Sequence, residues 1–356
     1  MKHQAVKFLP NRVWRVYSGG SGIDRMRGTT PAEDGHFPED WIASTSYANN
    51  PQYHQPDQGL SFADLPEGPL LFKDYLARDP ENMLGAAHYR KFGANPALLM
   101  KILDAAEQLP IQCHPSVPDA RKYFHSDFGK TEAWHVISVR EINGEKPYLL
   151  VGFNESLDAE CFRKEALSGK FPNGKNMMHK LEVKPGDSLL IRGGLPHAIG
   201  CGVTLIEIME PSDLVIQPEL RCGEQPLSDV ERWSGADPED ALKCFDYTSR
   251  SESETRRVNI PVPEKIDDSL QILIPKKDAK YFEMQKLTCR GKYVLRNREK
   301  KFRVGVVVQG KLNLNDGLRD LQLNCGDSFF LPYSLDQAEF SGNGEAVFAL
   351  PPDPLG

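Results

Sequence analysis

Residues 183–191 read VKPGDSLLI and residues 323–332 read LNCGDSFFLP, so a similar short pattern occurs twice in the 356-residue chain. Each copy places strand-forming residues on both sides of a Gly-Asp pair, which predicts two strands joined by a hairpin turn. Glycine permits the positive φ that such turns need, and aspartate can hydrogen-bond to its own turn backbone. A Gly-Asp hairpin repeated among many short strands predicts a mainly β protein with two jelly-roll barrels and a few helices.

Several segments around the first hairpin show the period of a strand or of a helix. Residues 133–139 and 148–153 read as strands, and Asn143-Gly144 between them is a hairpin signal. The apolar block at 94–107 fits either a helix or a strand. Residues 109–113 read as a further strand, and helical spacing is found at 118–126, 155–170 and 227–244.

The length of the chain predicts two domains, because one compact core rarely grows this large. Residues 249–268 are charged, contain two prolines and read as a linker. We therefore expect a first domain over residues 1–250, with N-terminal and helical additions, and a second, similar domain over residues 265–356.

Composition excludes several classes of function. The net charge is −7 and no dense lysine or arginine run occurs, which argues against a nucleic-acid partner. No apolar stretch has the length of a signal peptide or of a membrane span. Seven cysteines without a CxxC pair indicate a reducing compartment, so we expect a cytoplasmic protein. The oligomeric state stays open.

Four side chains of metal-binding type follow one another along the strands of the first domain. Gln112 and His114 are two residues apart on an expected strand, so both project from one face. Glu132 begins the next strong strand, and His197 follows the Gly-Asp hairpin. Any one of them alone is more often structural, but together they suit Zn²⁺ or another divalent first-row ion, with positions left for water or substrate.

The motifs around these residues resemble those of the type I phosphomannose (mannose-6-phosphate) isomerases of the cupin superfamily. They are IQCHP at 111–115, GKTEAW at 129–134, KPGD at 184–187 and PHA at 196–198. MKILDA at 100–105 and EIMEPSD at 207–213 fit the same family. The resemblance is strong from about 94 to 213, weaker before 60 and mostly architectural after 250, and it implies that both barrels are of the cupin type.

This resemblance implies an enzyme of carbohydrate metabolism that interconverts mannose 6-phosphate and fructose 6-phosphate. One divalent metal ion, with zinc favoured, would be bound by four ligands: Gln112, His114, Glu132 and His197. Lys130 would contact the substrate phosphate or the reacting sugar, and Arg221 would lie at the sugar as a second catalytic and substrate-binding residue.

Two positions depart from the family pattern. Pro110 stands where relatives often carry a serine that helps to hold phosphate, and residues 214–223 match no family pattern well. Ser116 or Arg192 could replace the missing hydroxyl. No histidine follows His197, so we expect the second domain to bind no metal.

The reaction needs a base, polarised oxygens and a stabilised enediolate. A divalent metal supplies the last two as a Lewis acid, and Arg221 would add electrostatic stabilisation. A metal-bound water, Lys130 and His88 remain open as the base. The alternatives are a non-catalytic sugar-binding cupin, an isomerase or epimerase of another sugar, and an oxygenase. The amide ligand argues against the oxygenase, which usually holds iron with two histidines and one carboxylate.

Overall fold

The computed structural model describes residues 4–171 and 173–354, and within them the protein is mainly β. The strands are β1 (Val6–Phe8), β2 (Arg12–Val13), β3 (Glu39–Ile42), β4 (Phe62–Asp64), β5 (Leu70–Leu71), β6 (Leu99–Ala105), β7 (Glu132–Val139), β8 (Tyr148–Phe153), β9 (Met178–Glu182), β10 (Ser188–Ile191), β11 (His197–Ile199), β12 (Val203–Met209), β13 (Arg221–Cys222), β14 (Gln225–Pro226), β15 (Glu264–Lys265), β16 (Leu270–Ile274), β17 (Glu283–Arg296), β18 (Arg303–Asn315), β19 (Asp320–Asn324), β20 (Ser328–Leu331) and β21 (Gln337–Leu350).

The helices are short and lie between groups of strands. They are α1 (Ser21–Arg27), α2 (Phe72–Ala77), α3 (Pro80–Leu84), α4 (Ala86–Phe92), α5 (Val117–Phe124), α6 (Ala159–Ser168), α7 (Asp229–Trp233), α8 (Pro238–Ala241) and α9 (Glu252–Asn259), with 3₁₀ turns at Gly174–Met177 and Leu242–Cys244. None of the described helices is long and apolar enough to cross a membrane.

The named strands pair antiparallel in four sheets. A ten-stranded sheet runs in the order β15-β16-β17-β21-β18-β20-β1-β4-β5, with β19 paired to β18. A six-stranded sheet has the order β10-β7-β12-β6-β3-β2, and smaller sheets join β11-β8-β9 and β13-β14. The mainly β class is thus confirmed.

The hydrogen-bonded ladders form open sheets and not closed barrels, so the two predicted jelly-roll barrels are not confirmed. The physical reason is visible in the core of the first half. The six-stranded and three-stranded sheets share one apolar core that includes Leu103, Trp134 and Leu149. Packing of side chains between these two sheets therefore replaces closure by a continuous ladder.

Both Gly-Asp turns have the expected backbone. Gly186 and Gly326 have φ angles of 98° and 87°, which favour glycine. The amide of Gly186 donates to the Val136 carbonyl and that of Gly326 to the Val307 carbonyl, each at 2.8 Å. The two strands that flank each turn pair with other strands and not with each other. Neither turn is therefore a hairpin.

The start of the chain adds strands to the sheet of the C-terminal half. Strand β1 pairs with β20, Val6 opposite Phe330, and then with β4. One apolar cluster joins Phe8 and Met100 with Val306 and Phe330. The division into domains at about 250–265 stays a prediction, and the N-terminal segment contributes to the C-terminal sheet.

Three local expectations are decided by the structure. The ambiguous apolar block contains strand β6. Residues 109–113 belong to no named strand, but Gln112 and Cys113 form β-bridges and the Leu109 amide donates to the Ile199 carbonyl. The segment read as a linker contains helix α9. Its capping box, in which Ser251 and Glu254 each accept a backbone N–H of the other, is the local signal for this helix.

Candidate metal centre

The ligand positions predicted from the sequence come together at one end of the six-stranded sheet. Glu132 begins β7 and His197 begins β11. Gln112 and His197 exchange both backbone hydrogen bonds, each at 2.9 Å. Directly opposed residues of an antiparallel pair project to the same side, so the side chains of Gln112 and His197 share one face.

Glu132 lies between two imidazoles. Its Oε2 is 3.3 Å from His114 Nε2, and its Oε1 is 3.3 Å from His197 Nε2. One ligand atom from each of these three residues lies within 4.8 Å of the others, and all three residues are buried. Buried carboxylate and imidazole groups at this separation can converge on one cation.

Both imidazoles have one ring nitrogen fixed by the backbone. His114 Nδ1 is 2.9 Å from the Leu214 carbonyl, and His197 Nδ1 is 2.9 Å from the Leu195 carbonyl. A carbonyl can only accept, so each Nδ1 carries the proton and each Nε2 presents a lone pair towards Glu132. Burial lowers the pKa of both histidines, which keeps the rings neutral and able to bind a metal.

The unsatisfied atoms of this cluster fit a metal ion. Glu132 Oε2 and His197 Nε2 are buried and have no hydrogen bond of acceptable geometry. Such atoms are rare in folded proteins because leaving them unpaired costs free energy. Two imidazoles and a carboxylate are ligands of Zn²⁺ and of other first-row ions. Beside this cluster lies a cavity whose wall includes Glu132 and also Gln112. The residues therefore fit a divalent metal ion without fixing which one.

Lys130 lies at the same point. Its Nζ is 2.8 Å from His114 Nε2 and 3.1 Å from Glu132 Oε2. Its backbone is fixed because the carboxylate of Glu210 accepts the amides on either side, Gly129 at 3.2 Å and Thr131 at 2.9 Å. This geometry places the lysine ammonium beside the His114–Glu132 pair.

A row of side chains crosses four neighbouring strands beside the metal ligands. In the strand register Trp41 lies opposite Lys101, Lys101 opposite Glu207, and Glu207 opposite Trp134. Lys101 Nζ is 3.3 Å from Glu207 Oε2, and Trp134 Nε1 donates to Glu207 Oε1 at 3.2 Å. Burial and the nearby carboxylate of Glu132 raise the pKa of Glu207, so this carboxyl group can hold a proton next to the cluster.

The N-terminal segment completes the wall of the cavity. Arg15 donates to both carboxylate oxygens of Asp213, at 2.8 and 3.0 Å, and its Nε is 3.1 Å from Glu39 Oε1. Tyr17 also donates to Glu39 Oε1, at 2.7 Å. Residues before position 60, which look irregular in the sequence, therefore position charges at the site.

The structure does not bring every predicted residue to the cavity. Arg221 is exposed on β13, where it donates to the Glu224 carbonyl, and it is not among the residues that line the cavity. Its role in catalysis stays a prediction. His88 is buried in α4, bonded to the Asn95 carbonyl at 2.8 Å, and does not line the cavity either.

The two residues suggested as replacements for a phosphate hydroxyl have other partners. Ser116 caps α5 by accepting the amide of Asp119. Arg192 donates to the Val258 carbonyl at 2.9 Å. Neither lines the cavity.

Sequence reasoning missed the charged residues of the cavity wall, and a signal exists for two of them. Lys101 and Glu207 each stand inside a run of apolar strand residues, LLMKILDA at 98–105 and VTLIEIM at 203–209. A single charge in a buried strand must be paired to be tolerated, so two such strands of opposite charge are candidates for neighbours.

Comparison with known proteins agrees with the motifs. Residues 274–351 match the family model described as mannose-6-phosphate isomerase, cupin domain. Mannose-6-phosphate isomerase ManA of Bacillus subtilis (strain 168) is 27% identical over 257 residues, 70% of this chain and 73% of that protein. Mannose-6-phosphate isomerase of Streptococcus mutans is 25% identical over 291 residues, covering 79% of this chain and 84% of the relative.

Solved structures show the same fold. The crystal structure of mannose 6-phosphate isomerase from Bacillus subtilis superposes with a TM-score of 0.73, covering 98% of this chain and 99% of that one at 18% sequence identity. The sequence comparisons support the resemblance to the mannose-6-phosphate isomerases that the motifs indicated, and the solved structure shows the same fold.

Proposed function

We propose that this chain, which is related in sequence and fold to the type I mannose-6-phosphate isomerases of the cupin superfamily, is a metal-dependent aldose–ketose isomerase. The pair of substrates suggested by the names of its relatives is mannose 6-phosphate and fructose 6-phosphate. The observation that supports this most is the buried cluster of His114, Glu132 and His197, with the ammonium of Lys130 beside it.

We assign the metal ion to His114, Glu132, His197 and Gln112. When bound there, a divalent ion acts as a Lewis acid on the carbonyl and hydroxyl oxygens of the sugar. Zinc is our choice from the donor set, since two imidazoles with carboxylate and amide oxygens suit it. The Lys130 ammonium contacts the same lone pairs, so it has to turn from them into the cavity when an ion is bound.

Lys130 and Glu207 are the groups of this chain that we place at the reacting carbons. In the isomerisation a proton leaves C2 and one arrives at C1, while negative charge develops on the oxygens. The ammonium of Lys130 would stabilise that charge, since it is fixed in a buried site. Burial and Glu132 raise the pKa of Glu207, which makes its carboxylate a stronger base, and this carboxylate would take the proton from C2 and return it to C1.

The test is a coupled assay of fructose 6-phosphate formation from mannose 6-phosphate, with elemental analysis of the same protein. The chain is stripped by a chelator and reloaded in parallel with Zn²⁺, Co²⁺ or Mn²⁺, and activity should follow bound metal. Lys130→Met and Glu207→Gln should each lower kcat about 10²- to 10⁴-fold with the metal retained. Lys292→Met, on the exposed surface, is the matched control.

A metal-loaded chain that turns over neither mannose 6-phosphate nor any other aldohexose would contradict the proposal. It would favour the non-catalytic sugar-binding cupin instead. The metal-free character of the second half and the cytoplasmic location stay predictions from the sequence.

A further inference from the structure

The orientation of His114 depends on a peptide group that two distant parts of the chain hold in place. The Leu214 carbonyl lies 2.9 Å from His114 Nδ1 and thereby fixes which ring nitrogen carries the proton. Resting on the proposed function and its metal site, we infer that Arg15 and Ser234 are positioning residues for this ligand. They hold the chain on either side of the carbonyl that orients the ring.

The chain around Leu214 has no regular secondary structure. Residues 210–220 belong to no named helix or strand. Ile216 and Cys113 exchange both backbone hydrogen bonds, each at 2.9 Å, which keeps this segment beside His114. Because no ladder of neighbouring strands fixes the Leu214 carbonyl, its direction depends on the individual contacts of residues 213 and 215.

Ser234 contacts the same peptide group as His114. Its Oγ accepts the Val215 amide at 3.0 Å and donates to the Val215 carbonyl at 2.7 Å. The Val215 N–H and the Leu214 C=O belong to one planar peptide unit, so fixing the amide also fixes the direction of the carbonyl. The hydrogen bond to the amide polarises this unit, which makes the carbonyl a stronger acceptor for the Nδ1–H of His114. The Nε2 of that ring then becomes a better electron donor to a metal ion.

Arg15 holds the residue on the other side of Leu214. Its guanidinium donates to both carboxylate oxygens of Asp213, at 2.8 and 3.0 Å, and the Asn49 amide donates to the same carboxylate at 3.0 Å. Bidentate pairing fixes the orientation of a carboxylate as well as its position. The Arg15 side chain is 12% exposed and lies over the Trp41 ring at 5.1 Å. The N-terminal segment therefore anchors the backbone next to the carbonyl.

Neither residue belongs to the candidate ligand set, so their effect on a metal ion would act through His114. Partners that orient a ligand in this way typically change metal affinity by about ten- to a hundredfold. Ser234 does not line the cavity, so replacing it leaves the space for a substrate unchanged. For Arg15 the informative change is to lysine, which keeps the positive charge and loses the fork of N–H groups.

The first measurement is the affinity of metal-free protein for Zn²⁺, taken from competition with a chromophoric chelator. We expect Ser234→Ala and Arg15→Lys each to weaken binding about tenfold. Arg12→Lys is the matched control, since Arg12 pairs with Asp24 in the same N-terminal segment, is 23% exposed and does not line the cavity. It should leave the affinity unchanged. Wild-type affinity in either test variant overturns the inference, and if Arg15→Lys does not fold, Ser234→Ala decides alone.

A second readout separates positioning from a general loss of stability. Co²⁺ bound in place of Zn²⁺ absorbs visible light in bands that depend on its coordination geometry. Both test variants should shift these bands, whereas Arg12→Lys should not. Urea unfolding of the metal-free proteins measures stability by itself. A variant that is less stable but keeps the wild-type Co²⁺ spectrum and Zn²⁺ affinity has lost only a structural contact, which contradicts the inference.

Turnover of mannose 6-phosphate by the same proteins separates this inference from the proposed function. Weaker Zn²⁺ binding in both variants, with no turnover of any aldohexose by the metal-loaded wild type, supports the inference and contradicts the isomerase. Turnover by the wild type, with unchanged Zn²⁺ binding in the variants, leaves the isomerase intact and overturns the inference. A wild type that binds no metal ion contradicts both.

Discussion

Replacing Lys101 with methionine removes the positive charge that lies between two buried carboxylates while keeping most of the side-chain volume. Glu39 retains other donors, since Tyr17 and Trp41 bond to it at 2.7 and 2.6 Å. Glu207 keeps the hydrogen bond from the Trp134 indole, but Lys101 is the cation that lies within 3.3 Å of it. The loss therefore falls mainly on Glu207.

The size of the effect follows from this asymmetry. Removing one member of a buried ion pair costs about 3–5 kcal/mol of stability. We expect a loss of about 3 kcal/mol at pH 8, because Glu39 stays paired and Glu207 can take up a proton.

The pKa of Glu207 is already raised by burial and by Glu132, and losing Lys101 raises it further. A carboxyl group with a raised pKa destabilises the folded state as pH rises through the range where the unfolded group ionises first. The deficit of Lys101→Met should thus be larger at pH 8 than at pH 5.

The assay is urea unfolding at both pH values of protein from which a chelator has removed any metal, so that metal binding does not contribute to the measured stability. The double variant Lys101→Met with Glu207→Gln should recover about 1–2 kcal/mol relative to Lys101→Met, because no unpaired carboxylate is left. Lys292→Met removes an exposed pair and should cost less than about 0.5 kcal/mol. A loss below about 1 kcal/mol for Lys101→Met, or a loss equal at both pH values, would refute this account of the network.

Three further predictions concern metal binding and pH. The double variant His114→Ala with His197→Ala should contain no metal in elemental analysis while its circular dichroism stays native, and stoichiometric metal would disprove the assignment. Burial raises the pKa of Glu210 to about 7 despite two backbone amides, so wild type loses stability as pH rises from about 4.5 to 7. The free energy of unfolding of Glu210→Gln relative to wild type, measured with urea, should be about 2–3 kcal/mol higher at pH 8 than at pH 5. The same pH dependence of stability in both proteins would exclude this. Burial lowers the pKa of His88 to about 4, so stability is lost as pH falls from about 6.5 towards 4. His88→Gln should lack this loss of stability, which amounts to up to about 3 kcal/mol. An equal decrease in the free energy of unfolding of both proteins between pH 6.5 and pH 4 would contradict this.

The residues that meet at the candidate metal centre could be picked out from the sequence because the signals for them are local. Gln112 and His114 face one way by strand alternation, and Glu132 marks the first residue of a strand that the sequence shows clearly. His197 follows a turn whose glycine is required by its φ angle. Each of these facts depends on a few neighbouring residues.

Arg221 and residues 249–268 show what local sequence signals leave undecided. Residues 214–223 form no long periodic element, so the sequence does not say which way the side chain of Arg221 projects. In residues 249–268, composition suggested a linker, but the capping box of Ser251 and Glu254 begins a helix of eight residues. Charge and proline content did not reveal this helix because capping is decided by two side chains and not by composition.

The charged network of the cavity could not be predicted from local sequence, since it depends on which distant strands become neighbours. Lys101 meets Glu207 only because β6 pairs with β12 in one register, and a shift of one residue would turn both side chains to the other face. Arg15 and Glu39 come from before position 60, where the sequence has weak periodicity. Arg15 Nε lies 3.1 Å from Glu39 Oε1 at the cavity wall, so the segment before position 60 is part of the site. Residues of metal-binding type can be recognised in the sequence, whereas the counter-charges of a cavity wall can come from any element that the fold brings near.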